Sequence, residues 1–262
     1  METIYGILNM LPFEFIKYDF MKNALLAVLF ISPLFALLGT MAVNDKMAFF
    51  SDALGHSAFT GIAIGVMLGL AISRVKEAGT ASTDTIISVF SSISIALGIV
   101  ILSRNGGFAK YSSYLTGDIL TVRPKEILAV LITLAIAYIL WIKIYNRLLL
   151  ISINQSFAAS RGINCRLIEN IFVVMVAVAV MLSVKWIGIL TINSLLILPA
   201  AAARNISVNS KQYHFYSLFI GLLSGIAGLI ISFYADTSAG ATMVLVSAVI
   251  YFAALLFKNK VR

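Results

Sequence analysis

Residues 51–65 read SDALGHSAFTGIAIG. Asp52 and His56 stand four positions apart, and from Gly61 the glycines recur every fourth residue: Gly61, Gly65 and Gly69. On a helix, side chains at i and i+4 share a face with Cβ atoms about 5–6 Å apart. The stretch therefore predicts two ionisable groups on one helical face, leading into a row of small residues. Such rows let helix backbones approach closely. This helix is expected to pack inside a bundle, with the Asp52–His56 end against other helices and away from lipid.

Composition says what kind of bundle. The chain has 262 residues, 61% hydrophobic and only 11% charged, with a mean hydropathy of +1.01. A soluble domain carries about 25% charged residues. No single water-soluble core could hide this much apolar surface. The fold class expected is an all-α polytopic membrane helix bundle, one transmembrane domain over 1–262. A span takes about 20 apolar residues. Eight segments qualify: 20–43, 57–73, 85–102, 127–144, 167–184, 186–203, 215–234 and 238–257. The fifth and sixth meet at a tight turn on Lys185. Residues 1–19 lack a basic run ahead of an apolar one, and Glu14 and Asp19 interrupt them. They read as an amphipathic interfacial segment and not as a cleavable signal.

The net charge of +8 is spread over loops, with no basic face interleaved with aromatics, so no nucleic-acid partner is expected. Lys and Arg concentrate on the cytoplasmic side of membrane proteins. A cytoplasmic N-terminus places Lys17, Lys22, Arg74, Lys76, Lys143, Arg147, Arg161, Arg166, Arg204, Lys211 and the basic C-terminus inside. Eight spans then return the C-terminus to the cytoplasm, as in a multi-pass protein of a prokaryotic cell membrane. Two loops exceed a turn: an outer one over 103–126 and an inner one over 146–170. The inner one holds a short helical pattern ending near Gly162, glycine being favoured just past a helix C-terminus.

A carboxylate and an imidazole suit a divalent transition ion such as Zn²⁺ or Mn²⁺. Two ligands make a weak site, which suits a conduit that must also release its ion. Asp52 or Ser51 can equally cap the helix start, and both roles stay open. A second unusual span runs GILTINSLLILPAAAARN over 188–205. Asn193 in it either lines a passage or bonds a neighbouring helix. Pro199 removes a backbone hydrogen bond and invites a kink. The single cysteine, Cys165, excludes an intrachain disulfide and a cysteine-cluster metal site. The dipeptide Gly-Lys is absent, so the chain has no phosphate-binding loop of the G-x-x-x-x-G-K-[ST] type. No hydrolase signature occurs, and the chain reads as no enzyme.

Three motifs, in order, resemble one family: MAFFSDALGHSAFTGIAIG, LTGDILTV and WIGILTINSLLILPAAAARN. They look like the permease subunits of ABC importers for zinc, manganese or iron, over about 20–257. The resemblance implies a dimer around a central pathway, with a second permease subunit, an identical copy, as partner. It implies a cytoplasmic ATP-binding cassette ATPase and an extracytoplasmic metal-binding protein as partners. The divalent metal is then a transported substrate and not a resident cofactor. INQSFAASRGI looks like the segment that docks on the ATPase, which makes Gln155, Ala158, Ala159 and Gly162 part of a cytoplasmic coupling loop over 146–166. In the family, the Asp-x-x-x-His pair is proposed to touch the metal, and here that pair is Asp52 and His56. The alternatives are an ABC permease for a metal chelate and a secondary transporter that needs no ATPase.

Overall fold

The computed structural model describes residues 5, 14–45, 47, 50–57, 62–77, 79, 82–103 and 117–261. Ten α-helices account for most of them: α1 (Asp19–Asn44), α2 (Phe50–Ser57), α3 (Ile62–Glu77), α4 (Thr83–Ser103), α5 (Pro124–Ile153), α6 (Gln155–Ser160), α7 (Cys165–Ile187), α8 (Ile189–Ile206), α9 (Ser210–Tyr234) and α10 (Ala239–Val261). Seven of these are long and apolar enough to cross a membrane: α1, α4, α5, α7, α8, α9 and α10. With α3, which rises about 24 Å, they correspond to the eight spans expected from hydropathy.

The core is built where small residues let helices touch. A Cβ on Gly39 of α1 would lie 1.8 Å from the carbonyl oxygen of Leu196 in α8, so only glycine permits that approach. On the other side of α1, Ser217 Oγ of α9 donates to the Ala36 carbonyl at 2.8 Å. Tyr213 Oη donates to the Thr40 carbonyl at 3.1 Å. α10 then closes on α9, where Gly228 faces Met243. In a bilayer, packing and interhelical hydrogen bonds of this kind take over from hydrophobic burial as the force joining helices.

These contacts fix the relative directions of α1, α8, α9 and α10. α1 runs parallel to α8, ending where Arg204 donates to Asn44 Oδ1 at 2.8 Å. The C-terminal end of α1 thus shares a face with Arg204, Lys76 and Glu169, the face that the charge pattern makes cytoplasmic. The start of α1 lies at the opposite end, where Phe15 and Tyr18 meet Phe233. Lys17 and Lys22 therefore stand toward the end of the bundle opposite Arg204. α10, antiparallel to α9, ends on the Arg204 face, with Ala254 packed near Ala200 and Ala203. The start of α1 and the later part of α10 thus lie toward opposite faces of the bundle.

Between α1 and α3 stands α2. It runs antiparallel to α8, since Ser51 pairs with Asn193 and Gly55 faces Ile189. It is an extra limb that returns toward the far face before α3 comes back. With 8 residues and an acid in its first turn, it is too short to register as a span.

Two other boundaries shift. The turn expected at Lys185 falls at Gly188, where φ is 81°, a value that favours glycine. The inner loop expected from residue 146 begins later, because α5 continues to Ile153. α8 remains helical through Pro199, as α1 does through Pro33.

Candidate functional site

Asp52 and His56 are brought together on one face of α2, with Asp52 Oδ1 3.6 Å from His56 Nε2. Ser91 Oγ of α4 donates to Asp52 Oδ2 at 3.4 Å. The carboxylate thus faces an imidazole and a hydroxyl, both at long range. His56 is buried, and its Nδ1 has no hydrogen-bond partner. The Asp52 side chain is 28% exposed and the His56 side chain 11%, so the pair has an open side at the carboxylate. In the capping alternative, the carboxylate would accept from the first N–H groups of α2. Among the described residues, the carboxylate's side-chain partners are His56 and Ser91.

Three contacts hold this piece of helix in place. Ser51 Oγ donates to Asn193 Oδ1 at 2.7 Å, tying the first turn of α2 to α8. Gly55 lets α2 lie on Ile189, where a Cβ would come within 2.8 Å. On the opposite side, Gly69 of α3 admits Leu54 and Phe50 of α2 and Val173 of α7, each within 3.3 Å of where its Cβ would be. Of the glycine row, Gly69 makes these contacts, Gly65 is buried, and Gly61 lies outside the described residues. Asn193 is engaged by Ser51, the interhelical bond that was one of its two readings. Gly55, inside the quoted stretch, stands outside the Gly61–Gly65–Gly69 row. Its close contact with Ile189 has no local sequence signal.

At the other end of α2, Asp45 sits among Met47, Ser73, Lys76, Glu169 and Phe172. Burial pushes its carboxyl up to about 6, with Lys76 opposing the shift and Glu169 adding to it. Sequence reading passed over this residue because a lone acid in a connecting segment looks like a solvated one.

The remaining candidate residues form a projection on the Arg204 face. Asn154 caps α6 by accepting from Phe157 N–H at 2.9 Å. Gly162, with φ of 76°, ends it, donating its N–H to the Ala159 carbonyl while Ile163 donates to that of Ala158. Ala158 is fully buried and roots the helix. Gln155, Ala159 and Gly162 are exposed, as is Phe157, over which Arg161 lies at 5.0 Å. The short helix thus presents its outer surface to whatever lies beyond the bundle.

The described part of a third motif, LTGDILTV, meets the α7–α8 junction at Gly117. A Cβ on Gly117 would lie 2.2 Å from the Gly188 nitrogen, and Asp118 accepts from Leu120 N–H at 3.0 Å. No group of three or more His, Cys, Asp or Glu residues converges among the described residues. Among the described residues, no third His, Cys, Asp or Glu joins Asp52 and His56 in such a group.

The family model described as the ABC 3 transport family matches residues 17–258. The chain is 33% identical over 260 residues to the high-affinity zinc uptake system membrane protein ZnuB of Haemophilus influenzae, covering 93% of this chain and 99% of that protein. It is 27% identical over 263 residues to the manganese transport system membrane protein MntC of Listeria monocytogenes, covering 93% and 92%. Among solved structures, PsaBC from Streptococcus pneumoniae in complex with Fab matches with a TM-score of 0.80 at 22% identity, over 97% of this chain and 95% of that one. That last likeness is one of fold.

Proposed function

Since the chain belongs to the ABC 3 transport family, we propose that it is the membrane-spanning permease of an ATP-driven importer of divalent transition-metal ions. The observation that carries this reading is the Asp52–His56 pair, set 3.6 Å apart on a helix wedged between α3, α4 and α8. A carboxylate oxygen and an imidazole nitrogen accept zinc, manganese or iron alike. The zinc and manganese relatives support that breadth without choosing within it. Two protein ligands leave coordination positions open to water and to groups from a second permease subunit. Such a site holds an ion briefly and lets it go. The metal is cargo, and ATP hydrolysis belongs to a partner.

The face bearing α6, Arg161, Arg166 and Arg204 is the cytoplasmic one in this reading, since Lys and Arg gather there. An ATPase subunit docks on α6 through Gln155 and Ala159, with Ala158 and Gly162 holding the helix in shape. An extracytoplasmic metal-binding protein delivers the ion at the opposite end, near the junction at Gly188. Asn193 and Pro199 belong to the wall of the passage: Asn193 by fixing α2, Pro199 by its place in the helix that α2 packs on.

The test is uptake of zinc and manganese by cells carrying Asp52→Ala or His56→Ala, with expression matched. Each variant is expected to lose roughly tenfold or more, as metal sites do when ligand geometry is disturbed. Normal uptake of both metals by both variants would remove the metal-contact role.

A further inference from the structure

Between α3, α5 and α7 lies a groove of about 510 Å³, walled by Leu70, Ile136, Leu140, Val174 and Val178. It extends along α7 from Asn170 to Val178, a rise of about 12 Å. That is close to the hydrocarbon depth of one leaflet, half of about 30 Å. Asn170 stands at the end nearer α6, and its Oδ1 is buried without a hydrogen-bond partner.

The same helix faces continue past Asn170 into cations. On α5, the row Thr133, Ile136, Leu140 runs on at helical spacing to Lys143 and Arg147. On α3, Leu70 is followed four residues later by Arg74. All three cations are exposed, and none has an ion-pair partner among the described residues.

An apolar groove by itself selects nothing in a membrane, because an acyl chain is equally at home in bulk lipid. The basic rim is what distinguishes this one, and basic pockets between spanning helices on the cytoplasmic side recognise anionic head groups. We propose that the groove is a binding site for an anionic phospholipid of the phosphatidylglycerol type. One acyl chain lies along α7, and the phosphate meets Arg74, Lys143 and Arg147. Asn170 stands at the depth of the ester groups, where ester carbonyls and interfacial water supply the partners the protein does not. A second copy of the chain is a poor occupant, since it would set cations against cations. The site goes beyond the transport reading and requires no particular cargo.

The experiment uses the full-length chain purified in detergent and offered phosphatidylglycerol or phosphatidylcholine, with bound lipid counted by native mass spectrometry. The chain is expected to retain phosphatidylglycerol in preference, and the preference is expected to shrink with added salt. The triple variant Arg74→Gln/Lys143→Gln/Arg147→Gln should reduce that preference on the order of a hundredfold, from roughly fivefold per cation. Ala137→Leu, which fills the groove from α5 without altering charge, should lower retention of both lipids. Equal retention of the two lipids by the unaltered chain overturns the proposal, and that arm needs no variant to fold. So does an unchanged preference in the triple variant, or a dimer whose covered groove retains no lipid.

Discussion

Compare α1 with α4. Both are long apolar helices with one acid in the first turn. Yet 78% of the most apolar window of α1 is buried, against 22% for α4. Hydropathy does not separate them, at 2.3 and 1.7. What separates them is where small residues fall. α1 brings Ala24, Ala27, Ala36, Gly39 and Ala42 to its neighbours, and α8 and α9 settle onto them. α4 turns Val89, Ile93, Leu97 and Val100 outward. In a bilayer, apolar character places a helix in the membrane, and close approach decides whether it lies inside the bundle or at its edge.

The contrast can be broken most sharply at Gly39. Gly39→Leu is expected to destabilise the bundle by about 3 kcal/mol, the upper range of overpacking, because the new Cβ meets the Leu196 carbonyl oxygen. Thermal unfolding in detergent would measure it, and a neutral result would mean α1 is not the packing centre.

Next in size is Asp45, just past the end of α1. Burial raises its carboxyl from 3.8 to about 6, so the folded state favours the neutral form. The stability linked to that group is fully present below pH 3.8 and is lost as pH rises through about 6. Asp45→Asn should therefore stabilise the protein at pH 7 by on the order of 2 kcal/mol and leave it unchanged near pH 4. Unfolding midpoints at the two pH values are the measurement, and equal effects at both would contradict the buried-carboxyl account.

A smaller step tests the tie between α2 and α8. Asn193→Ala and Ser51→Ala should each cost about 0.6 kcal/mol, the average for interhelical hydrogen bonds in membranes. The double variant should be no worse than either single one, as for two ends of one bond. Smallest of all is Ile93→Ala on the exposed face of α4, expected within about 0.5 kcal/mol. A larger cost there would show that another chain covers that face.

Much of the architecture was legible because apolar length and charge are local properties. The long helices, the i, i+4 placement of Asp52 and His56, and the capped turn ending at Gly162 can all be read within a few residues. The direction of α1 was not legible, because it depends on α2, whose 8 residues carry both an acid and a histidine and fall below any span-length window. Gly39 was passed over because it stands alone, outside any repeat. Its meaning lies in Leu196, far along the chain. Ser91 near Asp52 and Ser51 on Asn193 were hidden for the same reason: each pair is made by tertiary packing, which no periodicity records.

The bond between Ser51 and Asn193 joins residues 142 positions apart. At about 5–20 residues per second of synthesis, a nascent chain that has just produced α2 waits roughly 7–28 s for the residue that will anchor it. Through that interval the acid and the histidine exist without their framework. The pair proposed to meet the cargo is thus framed late in biogenesis, and a ribosome that stalls before α8 leaves it unanchored.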